Sequence, residues 1–178
     1  MALEIERRFL VSGDAWRAHE GWVSELQQGY LFCGEDGLTA RVRVQKQGRE
    51  ALQAWLTLKA PAAPGASAAI RQEFEYAIPL EDAHALLELS PWRLQKSRHG
   101  LVLPGGGWVV DVFDEANSPL VIAEVELSDL ESQLSIPFWC CKEITGLHAL
   151  SNAALARRPF QFWDLVEKNL LWQGAAMP

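Results

Sequence analysis

Two carboxylates and a guanidinium stand at spacing two near the start of the chain: Glu4, Glu6 and Arg8. Side chains of an extended strand alternate between faces. These three therefore share one face, while Leu3, Ile5, Phe9 and Val11 share the other with Arg7 as the odd member. The same spacing returns in later segments. With Arg8 it gives a basic set of Arg41, Arg43, Lys59, Arg71, Lys96 and Arg98. With Glu4 and Glu6 it gives an acidic set of Glu73, Glu75, Asp111, Glu124 and Glu126. Arginine and lysine bind phosphate oxygens, arginine often through two parallel hydrogen bonds. Paired carboxylates suit Mg²⁺ or Mn²⁺, which take oxygen ligands and bridge to phosphates. Basic and acidic clusters in one cavity point to a metal-polyphosphate ligand. The competing reading is an antiparallel sheet with a wet outer face.

The elements that must carry these residues are read from period and punctuation. Leu3–Val11 is a first strand. Ser12-Gly13-Asp14 turns the chain, and Ala15–His19 is one helical turn. Strands follow at Leu26–Phe32, Leu38–Gln45 and Ala54–Lys59, the first two joined by the hairpin turn Gly34–Gly37. The Ala-, Pro- and Gly-rich stretch Ala60–Ala69 reads as a mobile loop. Ile70–Ile78 is a fifth strand. Pro79 then precedes a helix over Leu80–Leu89 with the apolar stripe Leu80, Ala83, Leu86 and Leu87. Trp92–Leu103, Trp108–Phe113 and Leu120–Leu127 are three more strands. A capping box at Ser128–Glu131 predicts a short helix. Phe138–Ile144 reads as a short extra strand and Ser151–Arg157 as helix. Phe160–Trp172 is a final amphipathic helix that packs on the sheet or closes it, and Gly174–Pro178 is a frayed tail. The fold class is α+β: one domain over residues 1–178, about eight antiparallel strands with peripheral helices. Charges pair on strand after strand while helices and loops hold much of the remaining apolar surface. A barrel lined with charge and jacketed by helices satisfies both observations.

Composition bounds the function. The chain has 178 residues, 49% of them hydrophobic and 22% charged, and a net charge of -7. That is an ordinary globular mix, and a general nucleic-acid binder is usually basic. Three cysteines, two of them adjacent, suggest no disulfide framework and a reducing, cytoplasmic home. No apolar run is long enough to span a bilayer, and no signal peptide is visible.

Glu4-x-Glu6-x-Arg8 resembles the ExExK signature of the CYTH superfamily, the triphosphate tunnel metalloenzymes. The resemblance continues in order through about residue 155. Gln28-Gly29-Tyr30-Leu31 resembles that family's second strand, Arg41-x-Arg43 its RxR strand and Thr57-Leu58-Lys59 its TLK strand. Arg71-Gln72-Glu73-Phe74-Glu75, Lys96-x-Arg98, Asp111-Val112-Phe113 and Glu124-Val125-Glu126 follow in sequence. The resemblance implies an eight-stranded antiparallel barrel that takes a triphosphate inside. It implies that Arg8, Arg41, Arg43, Lys59, Arg71, Lys96 and Arg98 cradle phosphates. It also implies that Glu4, Glu6, Glu73, Glu75, Asp111, Glu124 and Glu126 hold one or two divalent metals, with Glu4, Glu6, Arg8 and Glu126 at the catalytic centre. The expected reaction is hydrolysis of tripolyphosphate to pyrophosphate and phosphate. Two departures stand out. Arg8 replaces the family lysine, and Arg8→Lys is expected to keep or raise activity. Ala149-Leu150-Ser151-Asn152 stands where relatives carry a basic run with a lysine, whereas Glu143 is retained.

Other readings remain in play. One is a class IV-type adenylate cyclase or an organic-triphosphate hydrolase such as a thiamine triphosphatase. Another is a non-catalytic polyphosphate or nucleotide sensor, and a last one is a plain structural barrel. His19, His84, His99 and His148 have no ligand spacing and read as structural or solvated. Lys142, Arg157 and Arg158 read as solvated. Trp163 and Trp172 are expected in the core, though they could serve a homodimer contact.

Overall fold

Period-two alternation becomes nine strands, and the charged faces turn inward. The computed structural model describes residues 3–63 and 65–173. The frayed tail expected at Gly174–Pro178 lies outside them. The strands are β1 (Leu3–Val11), β2 (Glu20–Cys33), β3 (Thr39–Gln47), β4 (Gln53–Pro61), β5 (Ile70–Ala77), β6 (Trp92–Leu101), β7 (Gly107–Phe113), β8 (Val121–Glu126) and β9 (Cys140–Glu143). Their order is β5-β4-β3-β2-β6-β7-β8-β1-β9, and β1 also pairs with β5. That last pairing closes β1 to β8 into an antiparallel barrel. One edge of β1 pairs with β8, setting Glu6 opposite Glu126 and Arg8 opposite Glu124. Its other edge pairs first with β5, Glu4 opposite Arg71, and then with β9, Phe9 opposite Glu143. The barrel therefore parts between β5 and β9, and β1 bridges the gap.

Three apolar clusters hold this wall in shape. Phe9, Val11, Trp108, Val110, Ala123 and Val125 point outward from β1, β7 and β8 and are covered by Trp16 and Trp139. Val42, Val44 and Ala54 point outward from β3 and β4 beneath Ala83 and Leu87 of helix α1 (Leu80–Leu89). The third cluster lies inside. Leu10, Tyr30, Leu94, Phe113 and Ile122 share the inward phase of the charged residues but sit toward one end. They meet Leu150, Leu155, Phe160 and Leu171. The last four come from the C-terminal segment, which includes α2 (Asn152–Arg157) and α3 (Leu165–Trp172). Each buried Leu, Ile or Phe contributes about 1.5–3 kcal/mol, so this plug is a firm one.

Several expectations are corrected. β2 begins at Glu20, six residues early, because Glu20 to Ser24 pair with the far half of β6. No helix follows Ser128. The Asp129 side chain accepts from the Glu131 amide at 2.8 Å, and Ser128 Oγ faces Asp129 and Ser132. Such local side-chain bonds compete with helix formation. The final helix is split. Phe160–Phe162 is a single 3-10 turn, and Asp164 starts α3 with a complete capping box to Glu167. Lys142 is not simply solvated: its ammonium caps the end of α3 through the carbonyls of Leu170 and Leu171 at 3.3 and 2.8 Å. Arg158 pairs with Glu167 at 2.6 Å, and Arg157 lies over the Trp92 ring. Trp163 and Trp172 pack against the inner cluster. The Ala-rich loop is tied at both ends, with Gln72 Nε2 donating to the Ala62 carbonyl and the Glu6 amide to that of Ala69. Among the described residues no helix is long and apolar enough to cross a membrane.

Candidate active site

Inside the barrel the register stacks the charged residues into rings. Arg41 faces Thr57, which faces Glu75, and Lys59 faces Glu73. Across the lumen Arg98 faces Asp111, while Arg8 faces Glu124 and Glu6 faces Glu126. Together they line a cavity of about 500 Å³. Its basic members are Arg8, Arg41, Arg43, Lys59, Arg71 and Arg98. Its acidic members are Glu4, Glu6, Glu73, Glu75, Glu124 and Glu126. Pro61 to Ala63, Ala66 to Ala69 and the segment Thr145–His148 form part of the rim.

Acid and base are paired across most of the cavity. Lys59 Nζ donates to Glu4 Oε2 at 2.6 Å and stands 3.4 Å from Glu73. Glu75 receives Arg43 at 2.9 Å, Arg41 at 3.4 Å and the Thr57 hydroxyl at 2.8 Å. Glu124 joins Arg98 at 2.5 Å to Arg8 at 3.1 Å. Arg71 donates to the Gly37 carbonyl at 2.7 Å. Glu126 has no side-chain partner among the described residues, and it is exposed at the cavity edge. Some donors remain orphaned although buried: Arg8 Nη2, Arg41 Nε and Arg43 Nε. A buried cationic N–H without an acceptor costs more than its bond would return, so these atoms are set for an anion's oxygens.

Electrostatics agrees. Burial, with Glu124 and Glu4 nearby, raises the Glu6 carboxyl to about 7. Burial likewise raises Glu73. Glu124 is buried too, but Arg98, Lys96 and Arg8 outweigh that and hold it well below the usual carboxylate range. Burial and the neighbouring Arg41 lower the Arg43 guanidinium to about 10. Carboxylates thus crowd Glu6, while Arg41 crowds Arg43.

Lys96 and Asp111 do not line the cavity. Lys96 pairs opposite Leu26 and Phe113, where the lumen turns apolar and the plug begins. Neither side chain has exposed surface. Lys96 donates to Asp111 and to Asn152 Oδ1 at 3.2 Å, and burial lowers its ammonium to about 8. Asp111 accepts both guanidinium bonds of Arg98, at 2.7 and 2.8 Å. Its oxygens are engaged by cations, so it braces Arg98 from behind. His99, by contrast, fits its structural reading, hydrogen-bonded to Glu20 at 2.6 Å. His148 is exposed, as its solvated reading allows, and stands on the cavity rim.

Sequence reasoning missed several contributors. Thr57 is buried in the Arg41–Glu75 bond network. Its place in the strand face with Lys59 was the available signal. Tyr30 lines the cavity, with burial pushing its phenol up to about 12. Gln28 is fully buried in the lumen with both amide atoms unpartnered. Thr145 Oγ1 accepts from the Arg8 amide at 3.0 Å and donates to Glu143 at 2.8 Å, and Glu143 binds Arg7 twice. That contact crosses 137 residues of sequence and has no local signature.

The donor set suits a hard divalent cation: Glu4, Glu6, Glu124 and Glu126 offer oxygen alone, from adjacent strands, around a carboxyl that other carboxylates repel. As they stand, no three acidic, His or Cys side chains among the described residues are gathered closely enough to hold an ion.

The CYTH domain model matches residues 2–157. The inorganic triphosphatase of Acetivibrio thermocellus is 36% identical over 164 residues, covering 90% of this chain and 97% of that protein. A crystal structure of an inorganic triphosphatase superposes with a TM-score of 0.58 at 30% identity, over 88% of this chain and 95% of the other. A Hippeastrum protein named for adenylyl cyclase, with a dominant triphosphatase activity, matches at a TM-score of 0.50 and 17% identity, over 72% and 80%. At that identity the likeness is one of fold.

Proposed function

This chain belongs to the CYTH domain family, and we propose that it hydrolyses inorganic tripolyphosphate to pyrophosphate and phosphate inside its barrel, with Mg²⁺ or Mn²⁺ as cofactor. The observation that carries the reading is the set of buried, unpartnered guanidinium atoms of Arg8, Arg41 and Arg43, on residues that line one cavity together with six carboxylates. The 36% identity to an inorganic triphosphatase supports the same class of phosphoanhydride hydrolase.

Arg8, Arg41, Arg43, Lys59 and Arg98 would exchange their resident carboxylates, and Arg71 the Gly37 carbonyl, for phosphate oxygens. Phosphoryl transfer needs chiefly positioning and charge neutralisation, and a ring of basic groups set by barrel register supplies both. Glu4, Glu6, Glu124 and Glu126 would hold the metal, with Glu73 and Glu75 on the facing wall. A bound divalent ion supplies charge neutralisation at the phosphate and a more acidic water. Asp111 and Lys96 hold Arg98 from behind. Among the described residues Tyr30, which is buried, is the only Phe, Tyr or Trp on the cavity, and His148 adds one exposed imidazole at its rim. A base or a thiazolium ring would find little to stack on there, which favours an inorganic substrate. The three free thiols support a cytoplasmic location.

The test is phosphate release from tripolyphosphate with Mg²⁺ and with Mn²⁺, beside ATP and thiamine triphosphate. Release from tripolyphosphate that EDTA abolishes, and that Glu126→Gln removes, is the expected result. Faster turnover of either organic substrate overturns the inorganic reading. Tight binding without release makes the protein a sensor.

A further inference from the structure

The segment that plugs the barrel touches both ends of one chain of charges. At one end the Leu150 carbonyl accepts from Arg8 Nη1 at 3.1 Å. At the other, Asn152 Oδ1 accepts from Lys96 Nζ at 3.2 Å. Between these ends Lys96 binds Asp111, Asp111 binds Arg98 at 2.7 and 2.8 Å, Arg98 binds Glu124 at 2.5 Å, and Glu124 binds Arg8 at 3.1 Å. Arg8, Arg98 and Glu124 face the cavity, whereas Lys96 and Asp111 are sealed behind it. The inner pair therefore meets no substrate and can act only through its neighbours.

Asn152 is not needed to start its helix. It is the first residue of α2, and Ser151 already caps that helix by accepting from the Ala154 amide at 3.2 Å. Asparagine is also a weak helix former. Its oxygen instead serves a buried ammonium. Lys96 carries three donors: Asp111 takes one, Asn152 another, and the Phe113 ring lies 5.2 Å from the nitrogen. Without the Asn152 oxygen, Asp111 would be the only hydrogen-bond partner of the Lys96 ammonium among the described residues. The ammonium would then be drawn wholly toward a carboxylate that must also hold Arg98. In a low-dielectric interior such a shared carboxylate responds strongly to any shift of its partners.

Resting on the triphosphatase reading above, we propose that Asn152 is a positioning residue for substrate binding. Acting through Lys96 and Asp111, it fixes the Arg98 guanidinium where that group meets the phosphate. The plug is thereby part of the binding machinery as well as of the fold.

Asn152→Leu keeps the branched shape, at a somewhat larger volume, and removes the acceptor. KM for tripolyphosphate should rise about tenfold, the size of one charge-assisted hydrogen bond. The kcat value should stay within about twofold, because an interaction lost equally from ground and transition states moves KM alone. A fall in apparent kcat with KM unchanged would mean only that less protein folds, and it overturns the proposal. No change in either constant overturns it too. Calorimetric binding of tripolyphosphate to EDTA-treated protein gives the same ratio as a Kd. If the wild type binds tripolyphosphate without hydrolysing it, the reaction reading falls and the Kd ratio still decides this one. Because Asn152 also borders the cavity, Lys96→Met supplies the second arm. In that background Asn152→Leu should add nothing. A full additional loss would show that Asn152 touches the ligand itself.

Discussion

The guanidinium of Arg8 donates through Nη1 to the carbonyl oxygen of Leu150 at 3.1 Å, so one side chain joins the first strand to the segment that plugs the barrel. The same group reaches Glu124 through Nε at 3.1 Å and leaves Nη2 buried toward the cavity. Burial works against its charge, but Glu124, Glu6 and Asp111 more than restore it. A lysine would keep the charge and lose the fork. One ammonium cannot serve Leu150, Glu124 and a phosphate from the same position. Sequence alone suggests that Arg8→Lys keeps or raises activity, and the geometry argues the reverse. The expected outcome is a loss of about ten- to a hundredfold in kcat/KM for tripolyphosphate, the range of hydrogen bonds to charged groups. Steady-state kinetics decides it, and a variant as fast as the wild type would show that charge alone suffices.

Glu6 gives the protein a pH signature. Burial raises its carboxyl to about 7 when folded, above the 4.5 of an exposed glutamate. Between these values the folded state binds more protons than the unfolded one, so this group makes metal-free stability fall as pH rises from about 4.5 to about 7. Glu6→Gln removes the buried charge. The EDTA-treated variant should therefore melt above the wild type at pH 8 and near it at pH 4.5. A divalent ion competes with that proton, so added Mg²⁺ or Mn²⁺ should raise the wild-type Tm more at pH 8 than at pH 5. Differential scanning calorimetry at the two pH values measures both effects. An equal metal effect at both would remove Glu6 from the cation site.

Trp55 should matter for binding although nothing in its sequence context marks it. The Arg43 guanidinium lies 4.7 Å from the ring centroid while its Nη2 holds Glu75 at 2.9 Å. Arg43 is desolvated and crowded by Arg41. An aromatic face is one of the few supports for such a cation, worth about 1 kcal/mol. Trp55→Leu should raise KM about fivefold by that measure, and Trp55→Phe should recover most of the loss. Equal KM values in the two variants would show that the ring serves packing alone.

Much of this site was legible because barrel geometry converts period two into a lumen. Glu4, Glu6, Arg8, Arg41 and Arg43 needed only alternation to be placed on one wall, and the outward Val42 and Val44 confirm the phase. Alternation does not give depth. Lys96 has the phase of Arg98, yet two residues along the strand carry it into the apolar end beside Phe113. Irregular segments were less readable still. Thr145 reaches the cavity from a turn and Asn152 from the first residue of α2, and only tertiary packing fixes where either segment runs. The two capping patterns show the same limit. Ser128-x-x-Glu131 and Asp164-x-x-Glu167 look alike in sequence. Only the second starts a helix, because Asp129 inside the first takes the Glu131 amide for itself.

Gly146 marks where the cavity rim is sealed. It sits at φ +76°, and a Cβ there would stand 2.6 Å from the Ala68 Cβ of the facing loop. Both residues border the cavity, one on each side of the parting between β5 and β9. Gly146→Ala meets two separate costs. The left-handed conformation costs a non-glycine residue about 1–2 kcal/mol, and the clash adds to it unless the loops separate. The variant should melt several degrees lower, the usual response to about 1–2 kcal/mol in a chain of this size. Ala68→Gly removes the second cost and leaves the first. The double variant should therefore recover part of the Tm and, with the rim closed again, all of the affinity for tripolyphosphate. Thermal melts and KM values on the two single variants and the double form a complete cycle. Additive effects throughout would show that the two loops do not press on one another, and the rim would then be open at this point.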